Sequence, residues 1–337
     1  MRHHLIDEAF HEPQPSLKKV DPPSKGSPVI ILSGPTASGK TLLSLELART
    51  LGGEVISADS VQVYRGMDIG TAKVSLEERM EIPHHLIDIC DLSTSFNVVQ
   101  FYEHATQAIR EVQSRGNVPI IVGGTGFYLN ALLYGPPKGP PSNSEVREKL
   151  ELDLEKFGPE PLYQRLAALD PEYAKSIHHR DKHKVMRSLE IMTLTGKRVS
   201  EFPRAFPLLV TPEFNFRCWF VYFPKEILYS RIEMRCDEMM AEGFIQEVKG
   251  LMEKGLKNNL SASQAIGYRQ CLEFLSSPQK DEDWERFVWE FKKASRRYAK
   301  RQFTWFKREP LFKWVNLDLC GYQRAFDQIV QDFDQES

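Results

Sequence analysis

The chain has 337 residues, of which 41% are hydrophobic and 27% are charged, as is typical of globular proteins. No apolar run approaches the roughly 20 residues that a membrane-spanning helix needs, and the formal net charge is -2. Length and composition therefore exclude a membrane-spanning protein and allow one large domain with a smaller one.

Residues 1–27 are polar and rich in proline, without the apolar segment of a secretory signal, and we interpret them as a mobile tail. The five cysteines lie far apart and form no C-x-x-C pair, so the sequence signals neither a zinc site nor a disulfide framework. A reduced, cytoplasmic protein is the simplest interpretation.

The first predicted elements lie in "VIILSGPTASGKTLLSLELA", Val29 to Ala48. An apolar strand meets the pattern G-x-x-x-x-G-K-T, and a segment with helical periodicity follows. In such a P-loop the backbone N–H groups surround phosphate oxygens, Lys40 reaches across them and the Thr41 hydroxyl binds Mg²⁺. The pattern therefore predicts a phosphate site at residues 34–41.

Strands and helices then alternate. A short strand, residues 54–58, ends at Asp59; a helix from about Val98 is closed by Gly116; and the strand "VPIIV" runs into Gly-Gly-Thr-Gly at 123–126. This alternation predicts a parallel sheet with helices on both faces. Ligands of such sheets bind beyond the carboxyl ends of the strands, where the P-loop, Asp59 and residues 123–126 are expected to meet.

The pattern is incomplete for a nucleotide hydrolase, which also needs an aspartate at the end of a later strand to hold Mg²⁺. Asp59 and Asp88 end only shorter runs. Asp59 opens "DSVQVYRGMDIGTAK", whose mixed polar composition indicates a functional loop. On pattern alone Asp59 is a general base, a Mg²⁺ ligand or a helix N-cap, and the cap ranks equal to the base.

Prolines and glycines at 135–141 mark a boundary. Residues 144–201 have helical signals only, and residues 216–223 resume a strand. We therefore predict a P-loop NTPase-like α/β core with an inserted all-helical domain. The predicted limits are a tail (1–27), the first part of the core (28–137), the helical insertion (138–214) and the rest of the core with basic C-terminal helices (215–337).

Two clusters of cations follow. Arg231 and Arg235 share a helix face and could reach an anion, although a solvated face is the ordinary alternative. Residues 292–308 carry eight Lys/Arg and no Asp/Glu, which indicates contact with a polyanion. The expected buried stripe of this helix is Phe287, Phe291, Ala294, Tyr298 and Trp305. The expected outward cations are Lys293, Arg296, Arg297, Lys300 and Arg301, for which a solvated face is again the alternative.

Together, "GPTASGKT", "ISADSVQVYRGMDIGTAK", "PHHLID", "VGGTGFYLNALL", "GYRQ" and "AKRQFTWF" resemble the signature blocks of bacterial tRNA dimethylallyltransferases, also called tRNA isopentenyltransferases, of the IPP transferase family. The resemblance spans roughly residues 28–305. It implies transfer of a dimethylallyl group from dimethylallyl diphosphate to the exocyclic amine of the adenosine just 3′ of the anticodon, in tRNAs that read codons beginning with U. The P-loop would then hold a diphosphate leaving group, which fits the missing strand-end acid.

The resemblance also implies roles for individual residues. Asp59 would be the catalytic base, assisted at the leaving group by Lys40, Thr41 with Mg²⁺, and Arg235. The implied diphosphate-binding residues are Gly34, Pro35, Thr36, Ala37, Ser38, Gly39, Lys40 and Thr41. The implied tRNA-binding residues are Asp59, Ser60, Val61, Gln62, Thr125, Arg147, Gln264, Gly267, Tyr268, Arg269, Arg296, Lys300, Arg301 and Gln302.

The expected partners are a tRNA anticodon stem-loop, enclosed by the helical insertion, and dimethylallyl diphosphate, bound by a monomer without a membrane. Gln264 stands where some relatives have arginine, which puts one RNA contact in doubt. The alternatives are a P-loop small-molecule kinase that uses ATP and a non-catalytic P-loop module that binds RNA and does not need Asp59.

Overall fold

The computed structural model of the protein describes residues 28–202 and 213–334, so the predicted tail lies outside the described residues. The chain divides into two compact units, residues 1–133 with 209–337, and residues 134–208. The second boundary of the smaller unit falls among residues 203–212, which are not described. The domain limits given above, 138 and 214, therefore stay predictions.

The described residues contain one six-stranded sheet in the order β3-β2-β4-β1-β5-β6, and every pair of neighbours is parallel. Its strands are β1 (Pro28–Ser33), β2 (Gly53–Ser57), β3 (His84–His85), β4 (Val118–Val122), β5 (Asn215–Tyr222) and β6 (Lys313–Asn316). The predicted α/β class is confirmed. In β1, Val29 to Leu32 are fully buried, because helices cover both faces of a parallel sheet.

Fourteen α-helices are assigned within residues 28–202 and 213–334. In chain order they are α1 (Lys40–Leu51), α2 (Leu76–Glu81), α3 (Val98–Ser114), α4 (Gly126–Tyr134), α5 (Ser144–Phe157), α6 (Pro159–Leu169), α7 (Pro171–Lys175), α8 (Lys182–Thr195), α9 (Lys225–Ala241), α10 (Phe244–Glu253), α11 (Leu260–Ser263), α12 (Tyr268–Leu275), α13 (Asp281–Phe306) and α14 (Leu317–Asp334). Short 3-10 turns lie at Val199–Glu201 and Leu256–Asn258.

Helix α3 shows how local sequence sets these boundaries. Asn97 accepts hydrogen bonds from the N–H groups of Val99 and Gln100, and the Gln100 side chain accepts from the Asn97 N–H, which forms a capping box. The buried face contains Phe101 and Ile109, as the spacing predicts.

The stripe predicted for α13 is wrong in its second half. The buried residues there are Ser295, Ala299, Gln302, Phe303 and Phe306, whereas Trp305 is 40% exposed. The helix extends over 26 residues, and a stripe read at fixed spacing drifts around its axis over that length.

The smaller unit has a core of its own, with Leu150, Leu162, Leu166, Val185 and Leu189 at its centre. Its described part is helical, as predicted. Arg147 belongs to this unit. Its Nε donates to Oε2 of the fully buried Glu190 at 3.3 Å, so part of its charge is already paired within the unit.

Candidate active site

The carboxyl ends of β1, β2 and β4 border a cavity of about 430 Å³. It is lined by the P-loop, by Asp59 and the loop that follows it, by Gly123 and Gly124 after β4, and by parts of α9 and α13. Segments that are far apart in sequence therefore meet at one edge of the sheet, where parallel α/β folds bind ligands.

The P-loop has the backbone shape that its glycines allow. Gly39 has φ +84°, and a Cβ there would lie 1.6 Å from the Tyr322 hydroxyl oxygen, so glycine is required by both conformation and space. The Lys40 Nζ donates to the Gly34 oxygen at 2.9 Å and to the Pro35 oxygen at 2.7 Å. Lys40 therefore spans the loop and bonds to the loop's own carbonyls.

Two arginines from α9 contact the same loop. The Arg231 Nε donates to the Ala37 oxygen at 2.9 Å, and an Arg235 nitrogen donates to the Thr36 hydroxyl at 3.3 Å. Arg231 also lies over the Phe223 ring, 4.7 Å from its centroid. The shared face therefore turns toward the P-loop, but only Arg235 lines the cavity.

The P-loop side of the cavity holds two cations, Lys40 and Arg235, whose charged forms are destabilised by their surroundings. Burial, followed by repulsion from Arg235, lowers the pKa of Lys40 to about 7, and attraction to Asp59 opposes that change. Burial also lowers the pKa of Arg235, and attraction to Asp59 again opposes that change. A bound anion with several oxygens would relieve both penalties, so the electrostatics favour an anionic ligand.

Asp59 lies directly after β2 and lines the cavity. Its Oδ1 accepts from the Val61 N–H at 2.8 Å and from the Gln62 N–H at 3.3 Å. Oδ2 accepts no hydrogen bond from any residue of the described ranges. No helix begins between Ser60 and Ala72, so the helix N-cap that the sequence left open is not formed, and the Asp59 carboxylate instead caps a turn through one oxygen.

The turn after β4 supports Asp59 from the neighbouring strand. The Thr125 hydroxyl accepts from the Ser60 N–H at 3.3 Å, and the Tyr298 hydroxyl lies close to it. Burial, followed by the nearby Asp59, raises the pKa of Tyr298, so its hydroxyl keeps its proton. A Cβ on Gly123 would lie 2.2 Å from the Ala58 oxygen, which explains why this turn needs glycine.

Gln302 joins the two glycine-rich turns. Its Oε1 accepts from the Thr36 N–H at 2.9 Å, and its Nε2 donates to the Gly124 oxygen at 3.0 Å. The side chain is buried. Gln302 was predicted to contact tRNA; in this structure its amide is used inside the protein and fixes the spacing between the turns.

Asp88, the other acid at the end of an apolar run, has a structural role. It accepts from the Lys73 Nζ and from Arg79, both at 2.6 Å. Within residues 28–202 and 213–334, no three His, Cys, Asp or Glu side chains are grouped as metal ligands. Thr41, the predicted metal ligand, is exposed at the start of α1 and lines the cavity.

The predicted tRNA-contacting residues are distributed unevenly. Eight of them line the cavity: Asp59, Ser60, Val61, Gln62, Gln264, Tyr268, Arg301 and Gln302. Tyr268 and Gly267 are buried, so of these two residues only Tyr268 borders the cavity. Arg269 is exposed and pairs with Glu273 at 3.1 Å.

The basic segment of α13 has carboxylate partners that its sequence does not show. Lys292 pairs with Asp237 at 2.7 Å, Lys293 with Glu290 at 3.0 Å and Arg296 with Glu233 at 2.5 Å. Arg297 and Lys300 form no ion pair with the described carboxylates. The charge available to a polyanion is therefore concentrated beyond Arg296.

Sequence reasoning missed two tyrosines. Tyr298 was placed only in an apolar stripe, although its hydroxyl lies near Thr125 and Asp59. Tyr322 comes from α14, and its hydroxyl donates to the Ser38 oxygen at 3.4 Å. No local pattern indicates either contact, because both depend on how distant helices pack.

The family model described as IPP transferase matches residues 62–309 of this chain. The chain is 55% identical over 309 residues to the tRNA dimethylallyltransferase of Protochlamydia amoebophila (strain UWE25), with 91% of this chain and 89% of that protein covered.

Two solved structures are also similar. The full-length tRNA isopentenylpyrophosphate transferase of Bacillus halodurans has a TM-score of 0.65 and 38% identity, with 92% of this chain and 98% of that one covered. A eukaryotic dimethylallyltransferase captured acting on tRNA has a TM-score of 0.73 and 30% identity, with 91% and 80% covered.

Proposed function

The chain belongs to the IPP transferase family, and we propose that it transfers a dimethylallyl group from dimethylallyl diphosphate to tRNA. The acceptor is the exocyclic amine of the adenosine just 3′ of the anticodon, in tRNAs that read codons beginning with U. One observation carries the proposal: a single cavity joins the cations of a P-loop to the carboxylate of Asp59. The cations suit a diphosphate, and the carboxylate suits an amine nucleophile.

The reaction needs both sides at once. The bond between the allylic carbon and the diphosphate oxygen breaks, and a bond from that carbon to the adenine amine nitrogen forms. Diphosphate leaves with the electron pair while Lys40 and Arg235 stabilise its charge. Asp59 accepts the proton that the nitrogen loses. Apolar residues of the same cavity, including Val55, Val74, Ile232 and Met239, suit the hydrocarbon group.

Mg²⁺ is the proposed metal. It prefers oxygen ligands, keeps several waters and commonly uses few protein groups together with substrate phosphates. The exposed Thr41 hydroxyl at the P-loop fits that donor set. When bound, Mg²⁺ would neutralise part of the charge on the diphosphate.

The target adenosine lies in a loop, so it can be unstacked and inserted into the cavity at modest cost. The described residues contain no helix long and apolar enough to cross a membrane. We propose a cytoplasmic enzyme, since tRNA is used there. Its five cysteines are free thiols, which suits a reducing compartment. We expect a monomer.

The direct test incubates the protein with Mg²⁺, dimethylallyl diphosphate and an unmodified anticodon stem-loop, digests the RNA and weighs its nucleosides by mass spectrometry. We expect an adenosine that is heavier by one dimethylallyl group. A stem-loop whose adenosine 3′ of the anticodon is replaced by guanosine is the matched control and should stay unmodified. An unchanged mass, with ATP consumed in a parallel reaction, would overturn the proposal in favour of a small-molecule kinase.

A further inference from the structure

The loop that begins at Asp59 is held from outside the cavity by one carboxylate. Glu247, on α10, accepts at Oε2 from the Asp68 N–H at 2.9 Å and the Ile69 N–H at 2.6 Å. Its Oε1 accepts from the Gly70 N–H at 3.1 Å. Three successive backbone donors of one loop therefore converge on one side chain, which fixes both the position and the direction of that segment.

The same carboxylate also binds the segment that leads into α12. The Tyr268 hydroxyl donates to Glu247 Oε1 at 2.6 Å, and the Tyr268 side chain is fully buried against Phe244. A Cβ on Gly70 would lie 2.4 Å from a Phe244 ring carbon and 2.6 Å from a Tyr268 ring carbon. Packing and hydrogen bonding therefore hold the loop at the same point.

The constraint extends to Asp59 through a continuous set of contacts. Next to the clamped residues, the Thr71 oxygen accepts from the Gln62 Nε2 at 3.1 Å. The Gln62 N–H in turn donates to Asp59 Oδ1 at 3.3 Å. The orientation of the Asp59 carboxylate thus depends on where Glu247 holds residues 68–70.

We propose that Glu247 is a positioning residue for the transfer reaction, and that with Tyr268 it ties the Asp59 loop to the cavity-lining segment 264–268. The inference rests on the proposed function, and Glu247 itself does not line the cavity. Its carboxylate sets the geometry in which Asp59 meets the adenine amine. A small displacement of a group that must be aligned in the transition state lowers turnover while substrate binding is largely kept.

The test compares Glu247→Gln with Glu253→Gln, an exposed glutamate on the same helix. Glutamine keeps the size but replaces one acceptor oxygen by a donor, so at least one of the bonds is lost. We expect kcat of Glu247→Gln to fall about 10- to 100-fold, with KM for both substrates within about threefold, and Glu253→Gln to match the wild type. Tyr268→Phe removes one bond of the four and should have a smaller effect.

A second readout does not depend on activity. Amide hydrogen exchange at residues 68–70 should be faster in Glu247→Gln than in the wild type and unchanged in Glu253→Gln. The kcat of the double variant Glu247→Gln/Tyr268→Phe should be about the same as that of Glu247→Gln, because both changes act on one hydrogen-bond network.

The outcomes separate the two proposals. A wild-type protein that does not modify the stem-loop overturns the proposed function, and the exchange data still test the clamp. An active wild type with normal kcat in Glu247→Gln overturns the positioning role. So does a loss of activity that appears only as a higher KM, or one accompanied by unchanged exchange at residues 68–70.

Discussion

The two walls of the cavity are built in opposite ways. On the P-loop wall, Lys40 and Arg235 are partly buried cations whose pKa values are lowered, first by burial. On the facing wall, Asp59 accepts hydrogen bonds from the backbone N–H groups of Val61 and Gln62. A bound anion would stabilise the charges of the first wall, whereas the second is largely satisfied by hydrogen bonds within the protein.

The difference suggests how each wall responds to change. The P-loop wall should control ligand binding and its pH dependence, because a bound anion reduces the free-energy cost of burying the charges of Lys40 and Arg235. A wall held by its own hydrogen bonds is preorganised, so changes there should act on the chemical step. Four predictions test this division.

The largest effect is expected at Asp59. Asp59→Asn keeps an oxygen that can cap residues 61 and 62 but removes the base, whereas Asp59→Ala removes both. Both variants should lose turnover by about 10² to 10⁴-fold and keep most of their stem-loop affinity. Single-turnover rates and RNA binding check this. Near-normal turnover in Asp59→Asn would show that the aspartate is only a cap.

The opposite wall is tested by Lys40→Met, which keeps the length of the side chain without its charge. We expect kcat to fall by about 10² to 10³-fold because a donor to the leaving group is lost. The affinity for inorganic diphosphate with Mg²⁺ should fall as well. Calorimetry and steady-state kinetics check both. A variant that binds diphosphate as the wild type does would place the anion elsewhere.

These two residues also show how much the sequence predicts. The strand–loop–helix pattern is local, so the P-loop, the position of Asp59 at a strand end and the α/β class follow from the sequence pattern, whereas the role of Asp59 as a base is implied only by the family resemblance. The parallel sheet then brings the ends of β1, β2 and β4 together, because parallel strands share a carboxyl edge.

What the sequence could not predict depends on packing between distant segments. Gln302 lies 266 positions from Thr36, to which it bonds. Asp237 and Glu233, which pair with Lys292 and Arg296, come from α9. The phase of the α13 stripe was wrong for a related reason: a period read over 26 residues accumulates an error that only the packed neighbours correct.

The third prediction concerns pH and the P-loop wall. Burial and Arg235 place the pKa of Lys40 at about 7 in the free protein. Below that value Lys40 is already charged, whereas above it the side chain must take up a proton when diphosphate binds. Affinity contributed by Lys40 should therefore fall by up to about tenfold per pH unit above 7.

The ionisation of diphosphate itself is shared by wild type and Lys40→Met, so the ratio of their affinities isolates Lys40. We expect this ratio to be largest below pH 7 and to shrink between pH 7 and 9 in calorimetric titrations. A ratio that stays constant across this range would mean that Lys40 remains charged in the free protein, and that the two walls differ less than proposed.

The smallest effect is expected where the facing wall continues into α13. Lys300 has no carboxylate partner among the described residues, whereas Lys292 pairs with Asp237 at 2.7 Å. A cation that neutralises a phosphate releases counterions, so Lys300→Ala should weaken stem-loop binding and reduce the slope of log affinity against log salt by about 1. Lys292→Ala should change that slope less, because Asp237 already balances its charge. Filter-binding titrations at several salt concentrations measure both slopes. Equal slopes for the two variants would show that ion pairing within the protein does not determine which cations of α13 contact RNA.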